Sequence, residues 1–303
     1  MKPIIYIDRI TKKKCQESVY GAEFLRFLYG DTLASNILGA PLAHLLARIP
    51  LFSSFYGWRQ NRKCSAKKIA PFIKNFDVDT TEFAKDPSLF VSFNDFFTRH
   101  LKPGTRPIDP NPTTAIIPAD GRYLFYQNIK DVDGFVVKGK KFNLTELLKN
   151  EKLAKEYADG SMAIARLCPT DYHRYHFPCD CIPSQTHFIN GWLYSVNPIA
   201  IKNNIDIFIE NKRTLCILDS THFDKVIYME IGATCVGAIH ETYTPEILTP
   251  KGAEKGFFSF GASSLILLFK KNTIRFDQDL LTHSTEHTEI KCLMGQSMGQ
   301  SFY

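Results

Sequence analysis

Residues 251–269 read Lys-Gly-Ala-Glu-Lys-Gly-Phe-Phe-Ser-Phe-Gly-Ala-Ser-Ser-Leu-Ile-Leu-Leu-Phe. Four small residues, Gly261 to Ser264, separate an aromatic stretch from the apolar run Leu265–Phe269. A run of this length and composition predicts a buried β-strand. Small residues before such a strand are typical of a tight turn or bulge, so the two serines taken alone indicate structure rather than chemistry.

The chain around this strand has the same β character from about residue 113 onward. Short apolar runs alternate there with turn residues, which is typical of strands. The runs are Ala115–Ile117, Tyr123–Tyr126, Phe135–Val137, Met162–Ala165, Thr214–Leu218, Val226–Ile231, Cys235–Ile239 and Leu265–Phe269. One helix is predicted among them, from Leu144 to Tyr157, with Asn143 as its N-cap.

The stretch from Ala22 to Phe55 is apolar but is broken by charged residues and prolines. A bilayer-spanning helix needs about 20 consecutive apolar residues, so two or three short amphipathic helices are predicted instead. A basic cluster follows, formed by Arg59, Arg62, Lys63, Lys67 and Lys68. An apolar helix beside basic residues suits a membrane interface, and it suits equally a helical subdomain with a solvated basic face.

The boundary between two regions is predicted near residue 105. Residues 92–101 predict a short aromatic helix with Ser92 as its N-cap. The proline-rich segment 102–112 follows and predicts an extended connection. We therefore predict an α+β protein with a helical, membrane-associating N-terminal region, residues 1–105, and a mainly β core, residues 106–303.

Charge and cysteine content limit the partners and the compartment. The net charge of +6 is compatible with an anionic lipid surface but is too small to indicate nucleic-acid binding. The eight cysteines are scattered along a long chain. This differs from the disulfide framework of short secreted proteins, so reduced thiols in the cytosol are expected.

Two further segments carry candidate catalytic side chains. Pro118-Ala-Asp-Gly121 follows a predicted strand, where Asp-Gly usually forms a turn and where catalytic residues also occur. Residues 167–181 place His173 and His176 three apart among charged residues, tyrosines and cysteines. The histidines suit general acid–base chemistry. A zinc site is the rival interpretation, although the cysteine spacing differs from the common zinc-ligand patterns.

Asp120, one of the histidines and the serine near position 263 together supply an orienting carboxylate, a base and a nucleophile. A serine hydrolase is one interpretation, yet the serine does not lie in a Gly-x-Ser-x-Gly elbow. Cleavage of the chain's own backbone is the other. Residue types alone leave both open.

Five ordered motifs between about Ser92 and Gly299 resemble those of the phosphatidylserine decarboxylase family. They are Phe93-Asn-Asp-Phe-Phe-Thr-Arg-x-Leu-Lys-Pro-Gly-x-Arg-Pro-Ile108, Pro118-Ala-Asp-Gly121, Pro169-x-Asp-Tyr-His-Arg-x-His-x-Pro178, Gly232-x-x-x-Val-Gly-x-Ile239 and Lys251-Gly-x-Glu-x-Gly-x-Phe258. Their order along most of the chain makes the resemblance specific, whereas the N-terminal region is less diagnostic.

The resemblance places the family's self-cleavage motif at Gly261-Ala-Ser-Ser264, and the register set by Phe269 selects Ser263. It implies a zymogen that is cut between Ala262 and Ser263 into a β chain, residues 1–262, and an α chain, residues 263–303. Ala262 stands where the family usually has glycine. If the backbone takes a positive φ there, alanine brings a steric cost, and slower self-cleavage is expected.

The resemblance also implies a role for each candidate. His176 would be the base for the Ser263 hydroxyl, and Asp120 would hold the imidazole in the right tautomer. Attack on the Ala262 carbonyl, β-elimination and loss of ammonia would leave a covalent pyruvoyl cofactor at position 263. This group would form a Schiff base with phosphatidylserine and act as an electron sink as CO₂ leaves, giving phosphatidylethanolamine. His173 would be the proton donor or a contact of the headgroup.

The implied activity sets the expected partners and location. A phospholipid substrate predicts a peripheral protein on the cytoplasmic face of the cell membrane. Its two chains would come from one precursor, a homodimer is among the assemblies expected, and no metal is implied. Two other interpretations are a serine hydrolase that uses Asp120, His176 and Ser263 on an external ester, and a zinc-stabilised lipid-binding module.

Overall fold

The structure, a computed structural model, describes residues 3–30, 32–33, 35–130, 143–201, 206–233, 239–260 and 263–302. Its strands are β1 (Ile5–Asp8), β2 (Lys14–Gln16), β3 (Thr114–Ile116), β4 (Gly121–Tyr126), β5 (Ser161–Leu167), β6 (Arg174–His176), β7 (Ile182–Pro183), β8 (His187–Ile189), β9 (Arg213–Ser220), β10 (Asp224–Ile231), β11 (Ile239–Glu241), β12 (Glu254–Phe258), β13 (Ser263–Phe269), β14 (Ile274–Phe276), β15 (Glu289–Cys292) and β16 (Ser297–Ser301). Its α-helices are α1 (Ala22–Tyr29), α2 (Ala40–Arg48), α3 (Pro50–Asn61), α4 (Ile69–Phe76), α5 (Phe93–Phe97), α6 (Leu144–Leu148), α7 (Glu151–Tyr157), α8 (Pro198–Ile201), α9 (Ile207–Glu210) and α10 (Gln278–Thr285). The prediction of an α+β protein with a mainly β core is confirmed.

A ten-stranded sheet forms the centre of the core, in the order β2-β1-β15-β4-β5-β13-β10-β9-β7, with β8 also paired to β9. Strand β13, predicted from the segment 251–269, lies between β5 and β10 and is buried at all seven positions. Leu265, Leu267 and Phe269 enter the hydrophobic cluster on one face, and Ile266 and Leu268 enter the cluster on the other. A strand buried on both faces needs a continuous apolar run, and this explains the sequence of β13.

The two faces of the sheet are covered by different elements. Two three-stranded sheets, β11-β12-β6 and β14-β16-β3, contribute side chains such as Tyr175, Phe258 and Phe276 to the first cluster. Helices α6 to α9 contribute to the second cluster on the opposite face. Strand β13 therefore lies inside a layered core, between the two hydrophobic clusters.

A third, aromatic cluster joins the N-terminal helices to the core. Phe72, Phe93, Phe96 and Phe97 pack there against Phe260, three residues before Ser263. Ser92 caps α5 as predicted, because its hydroxyl accepts from the Asp95 amide at 3.1 Å. The N-terminal region thus packs directly on Phe260, close in the chain to Ser263.

Some elements differ from the sequence-based expectation. Strands β1 and β2 extend the central sheet, so the N-terminal region is helical only from Ala22 onward. The predicted helix 144–157 is two helices, with Lys149 in the left-handed region at φ 50° between them. Asn143 caps the first helix as predicted, since its side chain accepts from Glu146 N. The strand predicted at 135–137 and most of that at 235–239 lie outside the described residues.

The apolar N-terminal helices expose many large side chains: Phe24, Phe27, Leu33, Ile37, Leu38, Leu45, Ile49, Phe55 and Trp58. No single helix in the described part of the chain is long and apolar enough to span a bilayer. The segments Ile37–Arg48 and Ser53–Asn61 meet the length and composition requirement only as a pair, and they are bent by 72° relative to each other. Membrane association of this region stays a prediction.

Candidate active site

The three catalytic motifs meet at one end of neighbouring strands. Gly121 begins β4, Leu167 ends β5 and Ser263 begins β13, and these strands lie side by side in that order. Ser263 of β13 pairs with Leu167 of β5, and Arg166 of β5 pairs with Arg122 of β4. Because adjacent strands are about 4.8 Å apart, the aspartate motif, the histidine loop and the serine are neighbours at this end of the sheet.

Ser263 is completely buried at the start of β13. Its Oγ has no hydrogen-bond partner among the described residues, and neither has the Oγ of Ser264. Leaving a buried hydroxyl unpaired costs about 1–3 kcal/mol, so such groups are rare and are often retained for chemistry. The peptide that would be cut involves Ala262, which lies outside the described residues together with Gly261.

Asp120 is held by an arginine that the sequence analysis did not single out. Arg106 Nε and Nη2 donate to the Asp120 carboxylate at 3.0 and 2.7 Å, and the Met294 amide donates at 2.8 Å. Burial raises the pKa of Asp120, while Arg106 acts in the opposite direction. Arg106 also binds Glu82, so it bridges two carboxylates. Its presence in the entry motif was visible in the sequence, but its partner was not.

His176 lies on β6 close to the aspartate motif. Its backbone amide donates to Pro118 O at 2.8 Å, and its ring stacks on Tyr172 with a centroid distance of 5.8 Å. Its Nδ1 is buried and has no hydrogen-bond partner within the described ranges. Burial lowers the pKa of His176 to about 4, so the ring is neutral near pH 7. The backbones of the two motifs are therefore joined, while the Asp120 carboxylate contacts Arg106 rather than this ring.

His173 is fully buried and has a defined tautomer. Its Nδ1 lies 3.0 Å from the carbonyl oxygen of Asp171, which can only accept, so Nδ1 carries the proton. Nε2 is consequently an acceptor, and no described residue donates to it. Burial lowers the pKa of His173 to about 3. Near pH 7 the ring is a neutral base that donates a proton from Nε2 only after it has taken one up.

Both histidines contact the segment before Ser263, but His173 contacts the part nearer to the serine, whereas His176 pairs with Glu254. The Phe258 amide donates to His173 O at 3.0 Å. The centroid of the Phe97 ring lies 3.8 Å from that of the His173 ring and 4.9 Å from that of the Phe260 ring. Phe97 therefore packs between His173 and Phe260, which lies three residues before Ser263.

Buried ion pairs hold the histidine loop, and sequence reasoning missed them. Arg122 forms an ion pair with the Asp171 carboxylate, which also accepts from the Cys168 amide at 2.7 Å. Arg99 donates to the carbonyls of Thr170 and Asp171 at 2.9 and 3.1 Å. Arginines and aspartates were visible in the motifs, but only the folded chain shows which of them pair.

Two cavities lined by described residues lie next to Asp120 and next to Phe260. One, of about 540 Å³, is polar and is lined in part by Glu82, Arg99, Arg106, Asp120, Asp171 and Tyr172. The other, of about 840 Å³, lies between the N-terminal helices and the core and is lined in part by Ala47, Trp58, Val91, Trp192, His240 and Phe260. The second cavity thus lies between Trp58 on α3 and Phe260, three residues before Ser263.

No cluster of three or more metal-ligating side chains occurs within the described ranges. The seven cysteines that the structure describes are free thiols. The cysteines near the histidine loop are buried, and burial raises the pKa of Cys168 above its ordinary value. The described residues thus provide no support for the zinc interpretation.

A buried serine without a described partner, two neutral histidines and a carboxylate thus lie at one end of the sheet, and these are the groups that a serine-based enzyme site requires. The sequence model of the phosphatidylserine decarboxylase family matches residues 93–300. The chain is 48% identical to the phosphatidylserine decarboxylase proenzyme of Chlamydia pneumoniae, over 98% of this chain and 97% of that protein. It is 45% identical to the proenzyme of Clostridium botulinum, over 96% of this chain and 97% of that protein.

The chain belongs to the phosphatidylserine decarboxylase family and is accordingly a lyase. The family resemblance drawn from the five motifs is confirmed.

Proposed function

We propose that the chain matures by cutting itself before Ser263 and then decarboxylates phosphatidylserine to phosphatidylethanolamine. The observation that carries this proposal is the Ser263 hydroxyl, which is fully buried and unpaired beside the histidine loop. Proteins named proenzymes at 48% identity over nearly the full length support processing of one precursor into two chains.

Self-cleavage needs the Ser263 Oγ to attack the carbonyl carbon of Ala262. The new C–O bond replaces the C–N bond, so the peptide becomes an ester while the nitrogen stays on Ser263. Nucleophile and carbonyl belong to adjacent residues, which gives the large rate advantage of an intramolecular reaction. β-Elimination then releases the carboxylate of Ala262, and hydrolysis of the resulting enamine, after tautomerisation, releases ammonia.

In this proposal His176 takes the Ser263 proton and Asp120 orients His176. The support is that both motifs lie at the same sheet end, that Pro118 O binds the His176 amide, and that His176 Nδ1 is free to accept or donate. The triad requires one Asp120 oxygen to exchange a bond from Arg106 for one to Nδ1. His173 Nε2 is also an unpaired acceptor. Replacing each histidine in turn therefore shows which of the two takes the Ser263 proton.

The described residues fit a covalent pyruvoyl group at position 263. Ser263 supplies its carbon skeleton, and the surrounding β13 backbone is enclosed by β5 and β10. The group supplies an electron sink for the loss of CO₂. In this proposal His173 moves a proton at the reacting carbon, because Nε2 can take up a proton and return it.

The proposed location is the cytoplasmic face of the cell membrane, as a peripheral protein. The support is the set of exposed apolar side chains on α1 to α3, followed by the basic residues 59–68. Interfacial helices bind through buried apolar area and through attraction to anionic lipid. The cavity of about 840 Å³ opens beside these helices and includes Phe260, so it suits the entry of a lipid headgroup.

The decisive experiment is an intact-mass spectrum of denatured protein combined with a decarboxylation assay on phosphatidylserine vesicles. We expect two chains that meet at Ala262 and Ser263, with the smaller chain lighter by one ammonia than a serine-started peptide. Ser263→Ala should give one uncut chain and no CO₂. Decarboxylation by Ser263→Ala would contradict the proposal, as would an uncut wild-type chain that reacts with a fluorophosphonate probe.

A further inference from the structure

Lys255 is a fully buried cation outside the residues assigned to catalysis. Its Nζ lies 2.6 Å from Glu230 Oε1 and 2.9 Å from Glu241 Oε2. Burial disfavours the ammonium, but the two carboxylates outweigh this effect and raise the pKa of Lys255 above its ordinary value. A buried charge is tolerated only when it is paired in this way.

Aromatic rings surround the same ammonium. The ring centroids of Tyr243, Tyr228 and Tyr175 lie 4.9, 5.1 and 5.7 Å from Lys255 Nζ. Such cation–π contacts strengthen as water is excluded. Tyr228 and Glu230 belong to β10 of the central sheet, whereas Lys255 and Tyr175 belong to the β11-β12-β6 sheet. The cluster therefore ties the small sheet to the strand beside β13.

Lys255 is also the irregular residue in the pairing of β12 with β6. Glu254 pairs with His176 and Gly256 pairs with Tyr175, so one residue of β12 is extra. A bulge of this kind redirects a side chain and is common next to active sites. Here it lets Lys255 reach Glu230 in the core, while the neighbouring Glu254 binds Arg174 at 2.9 Å.

Strand β12 leads straight to the reactive serine. Its last residue, Phe258, donates its amide to His173 O at 3.0 Å, and the Phe260 amide donates to Asn94 Oδ1 at 2.8 Å. A slip of β12 by one residue would exchange its two faces and break both contacts. The register of β12 therefore decides where the residues before Ser263 lie.

We propose that Lys255 is a positioning residue for self-cleavage, because its buried ion pair with Glu230 fixes the register of β12 and so places the segment before Ser263. The inference rests on the proposed cut at Ser263. Lys255→Met leaves the fully buried Glu230 without its cation, and Glu230→Leu leaves the buried ammonium with the partly exposed Glu241 alone. Removing both leaves only Glu241, which is 23% exposed, without a partner, so the double variant is the least damaging of the three. Only chains in the native register of β12 are cut, so the effect should fall on the rate of cleavage and not on the turnover of the chains that have been cut.

The test compares Lys255→Met, Glu230→Leu and the double variant during cell-free synthesis, with the appearance of the 263–303 chain followed by intact mass. We expect each single variant to cut at least tenfold more slowly and the double variant to cut within about threefold of wild type. CO₂ release per pyruvoyl group, counted by mass in the cut fraction, should stay unchanged. Lys270→Met is the matched control, because it removes a lysine from an exposed ion pair with Asp224.

Several results would overturn this role. One is a Lys255→Met chain that unfolds cooperatively and still cuts at the wild-type rate. Another is a double variant that is unfolded, or that is folded but uncut. A parallel loss of turnover per pyruvoyl would indicate a general structural defect and would also refute the proposal. A wild-type chain that never cuts would instead contradict the proposed function and not the role of Lys255.

Discussion

His173 Nδ1 donates to the carbonyl oxygen of Asp171 at 3.0 Å, and the same oxygen accepts from Arg99 Nη2 at 3.1 Å. The Asp171 carboxylate is bound in turn by Arg122. The histidine loop is thus held at both the backbone carbonyl and the carboxylate of Asp171. Because a carbonyl oxygen can only accept a hydrogen bond, His173 Nδ1 carries the proton. Nε2 is left as an acceptor without a partner among the described residues.

The burial of His173 predicts a loss of stability in acid. Its folded pKa of about 3 lies below the ordinary value of 6.5, so the unfolded chain binds the proton more tightly. The stabilisation is complete above about pH 6.5 and is lost as the pH falls toward 3. His173→Gln should therefore flatten the fall in the free energy of unfolding between pH 6.5 and 4, measured by urea titration in the Ser263→Ala background.

The exposed His187 supplies the control for this measurement. His187→Gln should leave the pH dependence as it is in the parent. His176 has a folded pKa of about 4 and should account for part of the slope that remains. An unchanged slope in His173→Gln would show that His173 is not buried in its neutral form.

The pairing of Arg106 with Asp120 predicts a large loss of stability in Arg106→Met. Both side chains are less than a tenth exposed, at 8% and 6%, so the variant leaves a carboxylate buried without its cation. Breaking a buried pair in this way costs about 3–5 kcal/mol. The free energy of unfolding of the uncut Ser263→Ala chain measures it. Lys85→Met breaks a more exposed pair with Asp95 and should cost about 1 kcal/mol or less. Equal losses in the two variants would contradict the described geometry.

Ala262→Gly tests the departure from the family's usual cleavage sequence. If the peptide before Ser263 needs a positive φ, alanine costs about 1–2 kcal/mol there and glycine removes the cost. We expect self-cleavage to become about tenfold faster, measured as the rate at which the intact precursor disappears. A rate equal to that of wild type would show that the backbone at 262 is not in the left-handed region.

Exposed aromatic residues on α3 should govern membrane binding. Phe55 and Trp58 are 57% and 53% exposed and stack with centroids 5.8 Å apart. Replacing both by serine removes apolar area from the proposed interface, so binding to vesicles that contain phosphatidylserine should fall at least tenfold in a flotation assay. Phe302→Ser removes an aromatic residue of 50% exposure that follows β16, and it should bind as wild type does. Equal binding by all three proteins would exclude α3 from the interface.

Local features of the fold followed from local sequence. The apolar run of β13 predicted its burial, and the hydroxyl or amide groups of Ser92 and Asn143 predicted helix starts that the structure confirms. These predictions succeed because a cap or a buried strand depends on residues within a few positions of one another. Strands β1 and β2 were missed, since their pairing depends on β15, more than 270 residues later in the chain.

The sequence by itself determined the family and the β core, and it identified four candidate site residues, Asp120, His173, His176 and Ser263. These conclusions rest on ordered motifs and apolar patterns, which are formed by residues close together in the sequence. Only the tertiary structure decided which groups meet. It assigned Arg106 to Asp120, fixed the tautomer of His173 through Asp171, and placed Lys255 in the core against Glu230. The physical reason is that the energy of a buried charge or an unpaired hydroxyl depends on its neighbours in space, and those neighbours come from strands far apart in sequence.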